Sequence, residues 1–246
     1  MKLISSASGQ RIALAAVLLA APFAASAQAY VRERPTGLME NNDVMKRTGM
    51  DTALGRSVRS TISKPLEEAK KLIAAKDIKG AREKVATALL VPDRTGYENH
   101  VIARAKLAIA AANDEVNEVA ALYEESATGT WYSTDDKAVA LQTVGGVFYN
   151  AGQYKQAITW YDRYAELGGI DPITQLLRGQ AYYLAGDFGG AAKVLDGEVD
   201  RAAQTGTKPP EIMLKLLADS SAKTSDANRY DKAAQLLAKY YPAKVN

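Results

Sequence analysis

Two similar stretches of eleven residues, VFYNAGQYKQA at 147–157 and AYYLAGDFGGA at 181–191, decide the fold class of this sequence. The second stretch begins 34 residues after the first, and the similarity extends a few residues upstream. The matched positions are small, aromatic or turn-forming: Gly145 and Gly179, Phe148 and Tyr182, Tyr149 and Tyr183, Gly152 and Gly186, Tyr154 and Phe188. A fixed period of this length is typical of one structural unit that is used more than once.

The sequence around these stretches has a helical pattern from Ser63 onward, with apolar residues three and four positions apart. Glycine, proline and polar residues interrupt the pattern at regular places and divide it into pairs of helices. We predict five helical hairpins, at 63–91, 97–126, 134–167, 172–202 and 210–242. A small or β-branched residue recurs early in each second helix: Ala81, Val119, Ala157, Ala191 and Ala233.

The spacing of small and bulky residues has a physical reason. Gly145 and Ala157 carry no bulk, so the two helices of one hairpin can approach closely at that crossing. Phe148 and Tyr161 then fill the space on either side. A glycine such as Gly152 permits a left-handed backbone conformation at the turn.

With these residues the sequence resembles the tetratricopeptide repeat (TPR) family. The third and fourth hairpins match it in their glycine, aromatic and alanine positions, whereas the first two have Lys76 and Asp114 where a turn glycine is expected. The resemblance implies an all-α fold, a right-handed α-solenoid of about five hairpins whose first helices line the concave face. We assign 63–246 to this TPR-like α-solenoid domain.

The first 29 residues are typical of a secretory signal peptide. Lys2 and Arg11 supply positive charge, 12–21 is apolar, and small residues allow cleavage after Ala27 or Ala29. The alternative is a membrane anchor, but the apolar run is shorter than the ~20 residues that a spanning helix needs. The chain has no cysteine, so it is not predicted to be a lipoprotein. We expect a periplasmic protein.

Residues 30–62 show no helical stripe and are predicted to be a flexible N-terminal arm, or alternatively a tail that binds a partner. The whole chain has a formal net charge of +3. No basic cluster suggests binding to nucleic acid or docking on a membrane.

Few residues suggest chemistry. The single histidine, His100, is interpreted as a structural or solvent-exposed residue. Asp135 and Asp136 are adjacent, so they are interpreted as capping the start of a helix rather than as an acid–base pair. Trp131 and Tyr132 either cover a junction between repeats or form a recognition patch. We predict no catalytic residue, no cofactor and no metal site.

The concave face is therefore the candidate binding surface. Side chains that we place there combine wide contact area with polar groups: Arg104, Gln142, Tyr149, Asn150, Gln180, Tyr183 and Leu184. Tyr149 and Tyr183 have an equally simple alternative, which is packing between repeats.

The favoured hypothesis is a non-catalytic scaffold that binds a peptide or an envelope protein. Segments 64–89, 154–169 and 230–242 also resemble periplasmic TPR proteins of TonB–ExbB–ExbD systems, which would make TonB, ExbB or ExbD the partners. One alternative is a structural assembly factor that forms homo-oligomers, because no polar capping helix follows Pro242 in the sequence. An enzyme of envelope polymers is a further alternative, which would require an acid–base pair in one cleft.

Overall fold

The computed structural model describes residues 55–242, and within this range it contains ten α-helices and no β-strand. We number the helices in chain order. They are α1 Ser60–Ala74, α2 Ile78–Leu89, α3 Gly96–Ala112, α4 Val116–Ala127, α5 Thr134–Asn150, α6 Tyr154–Glu166, α7 Pro172–Leu184, α8 Phe188–Gln204, α9 Glu211–Lys223 and α10 Ala227–Tyr240. The predicted signal peptide and arm residues 30–54 lie outside the described residues.

Each odd-numbered helix packs along the even-numbered helix that follows it, which gives five hairpins. All five hairpins turn on one residue with left-handed backbone geometry. Its φ is 62° at Lys76, 51° at Asp114, 73° at Gly152, 83° at Gly186 and 59° at Ser225. In the third hairpin the Gln153 N–H then donates to the Phe148 carbonyl at 2.9 Å, as in a Schellman motif. The hairpins without a turn glycine therefore use the same turn.

The predicted close crossing of the two helices is present in the third and fourth hairpins. A Cβ added at Gly145 would lie 2.7 Å from the Tyr161 ring, and one at Gly179 would lie 2.5 Å from Leu195 Cδ2. Tyr161 and Leu195 are both fully buried. Close packing therefore leaves no room for a side chain at either glycine.

Polar groups fix the junction between the first two hairpins. Thr95 caps α3, and Glu98 completes a capping box by accepting from the Thr95 N–H at 2.9 Å. The Arg59 guanidinium, just before α1, donates to both carboxylate oxygens of Glu98 at 2.8 Å. These bonds hold the pKa of the buried Glu98 at about 2. The start of α1 is thereby tied to the start of α3.

The first helices form the inner layer of the stack. Helix α1 packs against α3, α3 against α5, and α7 against α9. Side-chain hydrogen bonds join α5 to α7. No pair of second helices in the described range has a contact of similar extent. Because the more closely spaced layer lies inside the curve, α1, α3, α5, α7 and α9 line the inner face. The structure confirms the predicted all-α, TPR-like α-solenoid.

The last helix ends the stack with a polar surface. On α10, only Ala233 is fully buried among the described residues. Asn228, Asp231, Gln235 and Lys239 are exposed. Helix α10 therefore gives this end of the described stack a polar outer face. The expectation that no capping helix follows Pro242 concerns 243–246, which lie outside the described residues.

Candidate protein-binding surface

Bridges between neighbouring inner helices occupy several of the residues that the sequence placed on the concave face. Gln142 on α5 donates through Nε2 to Thr174 Oγ1 on α7 at 2.7 Å. The Tyr149 hydroxyl donates to Gln180 Oε1 at 3.0 Å. Gln142, Tyr149 and Gln180 are all buried, and burial raises the pKa of Tyr149. These three side chains hold α5 against α7.

Two further bridges extend this arrangement in both directions. Arg104 on α3 donates to Asp136 Oδ1 on α5 at 2.9 Å, and its guanidinium carbon lies 5.2 Å from the centre of the Tyr132 ring. The Tyr183 hydroxyl on α7 donates to Asp219 Oδ2 on α9 at 2.5 Å. Burial and the Asp219 carboxylate raise the pKa of Tyr183 to about 12. Hydrogen bonds between polar side chains thus join the inner helices from α3 to α9.

The remaining two predicted residues, Asn150 and Leu184, are the last residues of α5 and α7 and lie 34 positions apart. Both polar side-chain atoms of Asn150, Oδ1 and Nδ2, are shielded from solvent and have no hydrogen-bond partner. Leu184 is 37% exposed. An unpaired buried amide is uncommon in folded proteins and calls for an explanation.

Aromatic rings at the starts of α6 and α8 pack against the residues that precede Asn150 and Leu184. Tyr154 packs edge-on against Tyr149 at 5.6 Å, and Phe188 packs in the same way against Tyr183 at 5.3 Å. The rings of Tyr154 and Phe188 are both half-buried. We name Asn150, Tyr154, Leu184 and Phe188 the helix-end patch. It combines apolar area, two half-buried rings and an unpaired amide that is shielded from solvent.

His100 and Tyr132 belong to a cluster of aromatic rings between hairpins two and three. His100 is buried, and its Nδ1 lies 2.9 Å from the Ser126 carbonyl oxygen, which makes Nδ1 the protonated nitrogen. Burial lowers the pKa of His100 to about 4. The ring meets Tyr132 edge-on at 4.8 Å. Tyr132 is itself buried, in agreement with the junction-covering interpretation.

Neither Asp135 nor Asp136 caps its helix. The cap of α5 is Ser133, whose hydroxyl accepts from the Asp136 N–H at 3.1 Å. Asp136 instead forms the ion pair with Arg104. In residues 55–242 no group of three or more histidine and acidic side chains could hold a metal ion. No helix in that range is long and apolar enough to cross a membrane.

Comparison with known proteins supports the fold. No protein-family model matches the chain, and no curated protein sequence matches it. A solved structure titled "Functional Characterization of Pseudomonas Aeruginosa pilF" is similar, with a TM-score of 0.51 and 14% sequence identity. The similarity covers 90% of this chain and 95% of that chain. At such low identity it shows a common fold, and a fold alone does not define a function.

Proposed function

We propose that this protein is a non-catalytic periplasmic scaffold that binds a peptide or an envelope protein on its inner face. The observation that carries the proposal is the helix-end patch, and above all the unpaired amide of Asn150. The amide is shielded from solvent in the free protein, so the Asn150 side chain has to turn outward before its acceptor and two donor hydrogens can pair with the N–H and C=O groups of an extended peptide. Leu184, Tyr154 and Phe188 provide apolar contact area beside it.

The inner bridges support a binding role because they organise the surface in advance. Gln142, Tyr149 and Tyr183 fix the spacing of α5, α7 and α9 through hydrogen bonds of 2.5–3.0 Å. A surface that is already ordered loses less conformational entropy when a partner binds. In this proposal the bridging residues position the patch, and the patch contacts the partner.

The periplasmic location is supported by the leader-like sequence at 1–29 and by the lack of a lipid-accepting cysteine. Association with a TonB-type transport system is supported by the family resemblance of 64–89, 154–169 and 230–242. Both are parts of the proposal that the cellular experiment below also tests.

A photo-crosslinking amino acid at Leu184 tests the proposal in living cells, with the same group at the exposed Gln235 of α10 as the matched control. We expect position 184 to capture one partner that position 235 does not. Adding Asn150→Leu should abolish that capture. An ExbB, ExbD or TonB protein in the product would support the transport role.

Two results would refute the proposal. Equal products from both positions would show that the patch has no specificity. Capture of a second copy of this chain at position 184 would instead support the self-assembly alternative. Fractionation of the same cells tests the location, since a periplasmic scaffold must appear in the periplasmic fraction.

A further inference from the structure

A cavity lies within the second hairpin, between the start of α3 and the end of α4. The first two turns of α3 supply Asn99 and His100 to its wall. Glu125 near the end of α4, Thr128 after it and Trp131 in the following loop line the other side. The cavity has a volume of about 370 Å³. Because pockets for small ligands occupy roughly 300–1,000 Å³, this cavity has room for a small molecule.

Two glycines lie along one edge of the Trp131 indole. A Cβ added at Gly96 would lie 3.5 Å from Trp131 Cζ2, and one at Gly129 would lie 3.4 Å from Trp131 Cδ1. The Tyr97 ring packs against the same indole at a centre-to-centre distance of 5.5 Å. These contacts hold the indole in place, yet Trp131 is only half-buried, so part of its ring can contact a ligand.

The cavity offers two hydrogen-bond donors. Asn99 Oδ1 accepts from Arg94 Nε at 2.8 Å, which orients the amide. Asn99 Nδ2 and Trp131 Nε1 make no hydrogen bond to another described residue. Since Asn99 is exposed and Trp131 is half-buried, both nitrogens can donate to a ligand.

The same cavity also offers acceptors. The Glu125 carboxylate accepts from Lys106 Nζ at 2.8 and 2.9 Å, and each oxygen keeps a lone pair for a further donor. Thr128 Oγ1 donates to the Glu125 carbonyl at 2.8 Å and can still accept. His100 Nε2 has no hydrogen-bond partner, but it is shielded from solvent. The imidazole therefore contributes a wall of the cavity rather than a hydrogen bond.

The charges that line the cavity are balanced. Glu125 is the one acidic residue among the described residues of the wall, and Lys106 pairs with it. Burial lowers the pKa of His100 to about 4, so the ring is uncharged near neutral pH. A charged ligand would find no unpaired partner in this wall, and desolvation of an unpaired charge is costly. The cavity therefore favours a neutral ligand.

We infer that this cavity, the hairpin-two pocket, binds a neutral sugar ring. A hydroxyl group both donates and accepts, so a sugar matches the donors of Asn99 and Trp131 and the acceptors of Glu125 and Thr128. The C–H groups on the apolar face of a sugar are attracted to the electron-rich face of an indole. Glycosidases generally use two carboxylates, whereas this pocket has one, so the inference is binding and not cleavage. No residue of the helix-end patch takes part.

Isothermal titration calorimetry of the full chain with three soluble trisaccharides tests the inference. N-acetylated chitotriose and maltotriose are neutral, and the deacetylated form of chitotriose is a cation with the same backbone. We expect saturable one-to-one binding of at least one neutral trisaccharide. Preference for chitotriose would indicate a glycan of amino sugars, and preference for maltotriose a glucan; both support the inference. The cationic form should not bind more tightly than its neutral counterpart.

Two variants and their matched controls locate the site. Trp131→Ala removes the indole, with Tyr240→Ala at another half-buried ring as its control. Asn99→Ala removes a donor, with Asn228→Ala on the exposed face of α10 as its control. Each pocket variant should weaken binding by at least about fivefold, which corresponds to about 1 kcal/mol. Both controls should change the affinity by less than about twofold, about 0.4 kcal/mol.

Circular dichroism of each variant checks the fold. If Trp131→Ala fails to fold, Asn99→Ala still decides the test, because an exposed side chain contributes little to stability.

Three results would overturn the inference. Absence of saturable binding for both neutral trisaccharides would exclude a sugar site. Tighter binding of the cationic form would show that Glu125 selects a cation instead. Equal effects of the pocket variants and their controls would place the sugar elsewhere on the chain.

Discussion

Replacing Asn150 with leucine separates the role of this residue in binding from its role in folding. Leucine has the same number of side-chain heavy atoms and the same branching as asparagine, and it is the residue at the equivalent position, Leu184. In the free protein the amide of Asn150 has lost its contact with water and gained no hydrogen bond. The substitution removes these unpaired polar atoms while it conserves the shape of the side chain.

The expected change in the free energy of unfolding follows from the number of unpaired polar groups that the substitution removes. An unsatisfied buried donor or acceptor costs about 1–3 kcal/mol, and an apolar group of the same shape avoids that cost. Leucine also favours the helical conformation by about 0.5 kcal/mol relative to asparagine. The larger methyl groups offset part of this gain. We therefore expect Asn150→Leu to raise the free energy of unfolding by about 1–3 kcal/mol.

Urea denaturation followed by circular dichroism measures the change. The urea concentration at the midpoint of unfolding should rise, while the slope of the unfolding free energy against urea concentration stays constant. The melting temperature should rise by about 2–4 °C per kcal/mol for a domain of this size. Leu184→Asn is the matched control, since its amide would reach solvent and should change stability by less than about 0.5 kcal/mol. A lower midpoint for Asn150→Leu would refute the reasoning, because it would show that the amide is satisfied in the folded protein.

Three further predictions concern the core. Gly179→Ala should lower the free energy of unfolding by about 1–3 kcal/mol, because the new Cβ would meet the buried Leu195. The control is Gly197→Ala, whose Cβ would meet no atom within 4 Å. In the same urea titration this control should be neutral or stabilising. Tyr161→Phe should raise the unfolding free energy by about 1 kcal/mol, since the Tyr161 hydroxyl is buried and unpaired. The lowered pKa of His100, about 4 against 6.5, means that unfolding takes up a proton between these values. The free energy of unfolding should therefore decrease as the pH is lowered from 6.5 to 4, by at most about 1.4 kcal/mol per pH unit, and a titration of His100→Gln should show a shallower decrease.

Much of the fold could be predicted from the sequence because its signals are local. Apolar spacing indicated the helices, and Gly145 with Tyr161 indicated a close crossing within one hairpin. The turns at Lys76 and Asp114 were harder to predict, since neither residue is the expected glycine. Both residues nevertheless adopt the same left-handed geometry as the turn glycines.

The hydrogen bonds that the inner polar residues form between neighbouring first helices were harder to predict from the sequence. Gln142 and Thr174 are 32 residues apart, and Tyr149 and Gln180 are 31 residues apart. These separations are slightly shorter than the 34-residue repeat, as expected for side chains that reach from one first helix to the next. Polar pairs at such separations are a sequence signal for bridges. Their hydrogen bonds nevertheless depend on the distance between helices, which only the structure shows.

The repeat itself helps to distinguish structural from functional residues. Positions that match between hairpins, such as the crossing glycines, meet the same packing requirement each time. Positions that differ are free of that requirement and can acquire another role. Asn150 differs from Leu184 on the inner face. Because the matched positions already support the fold, Asn150 and Leu184 are the members of the helix-end patch that are free to differ in role between repeats.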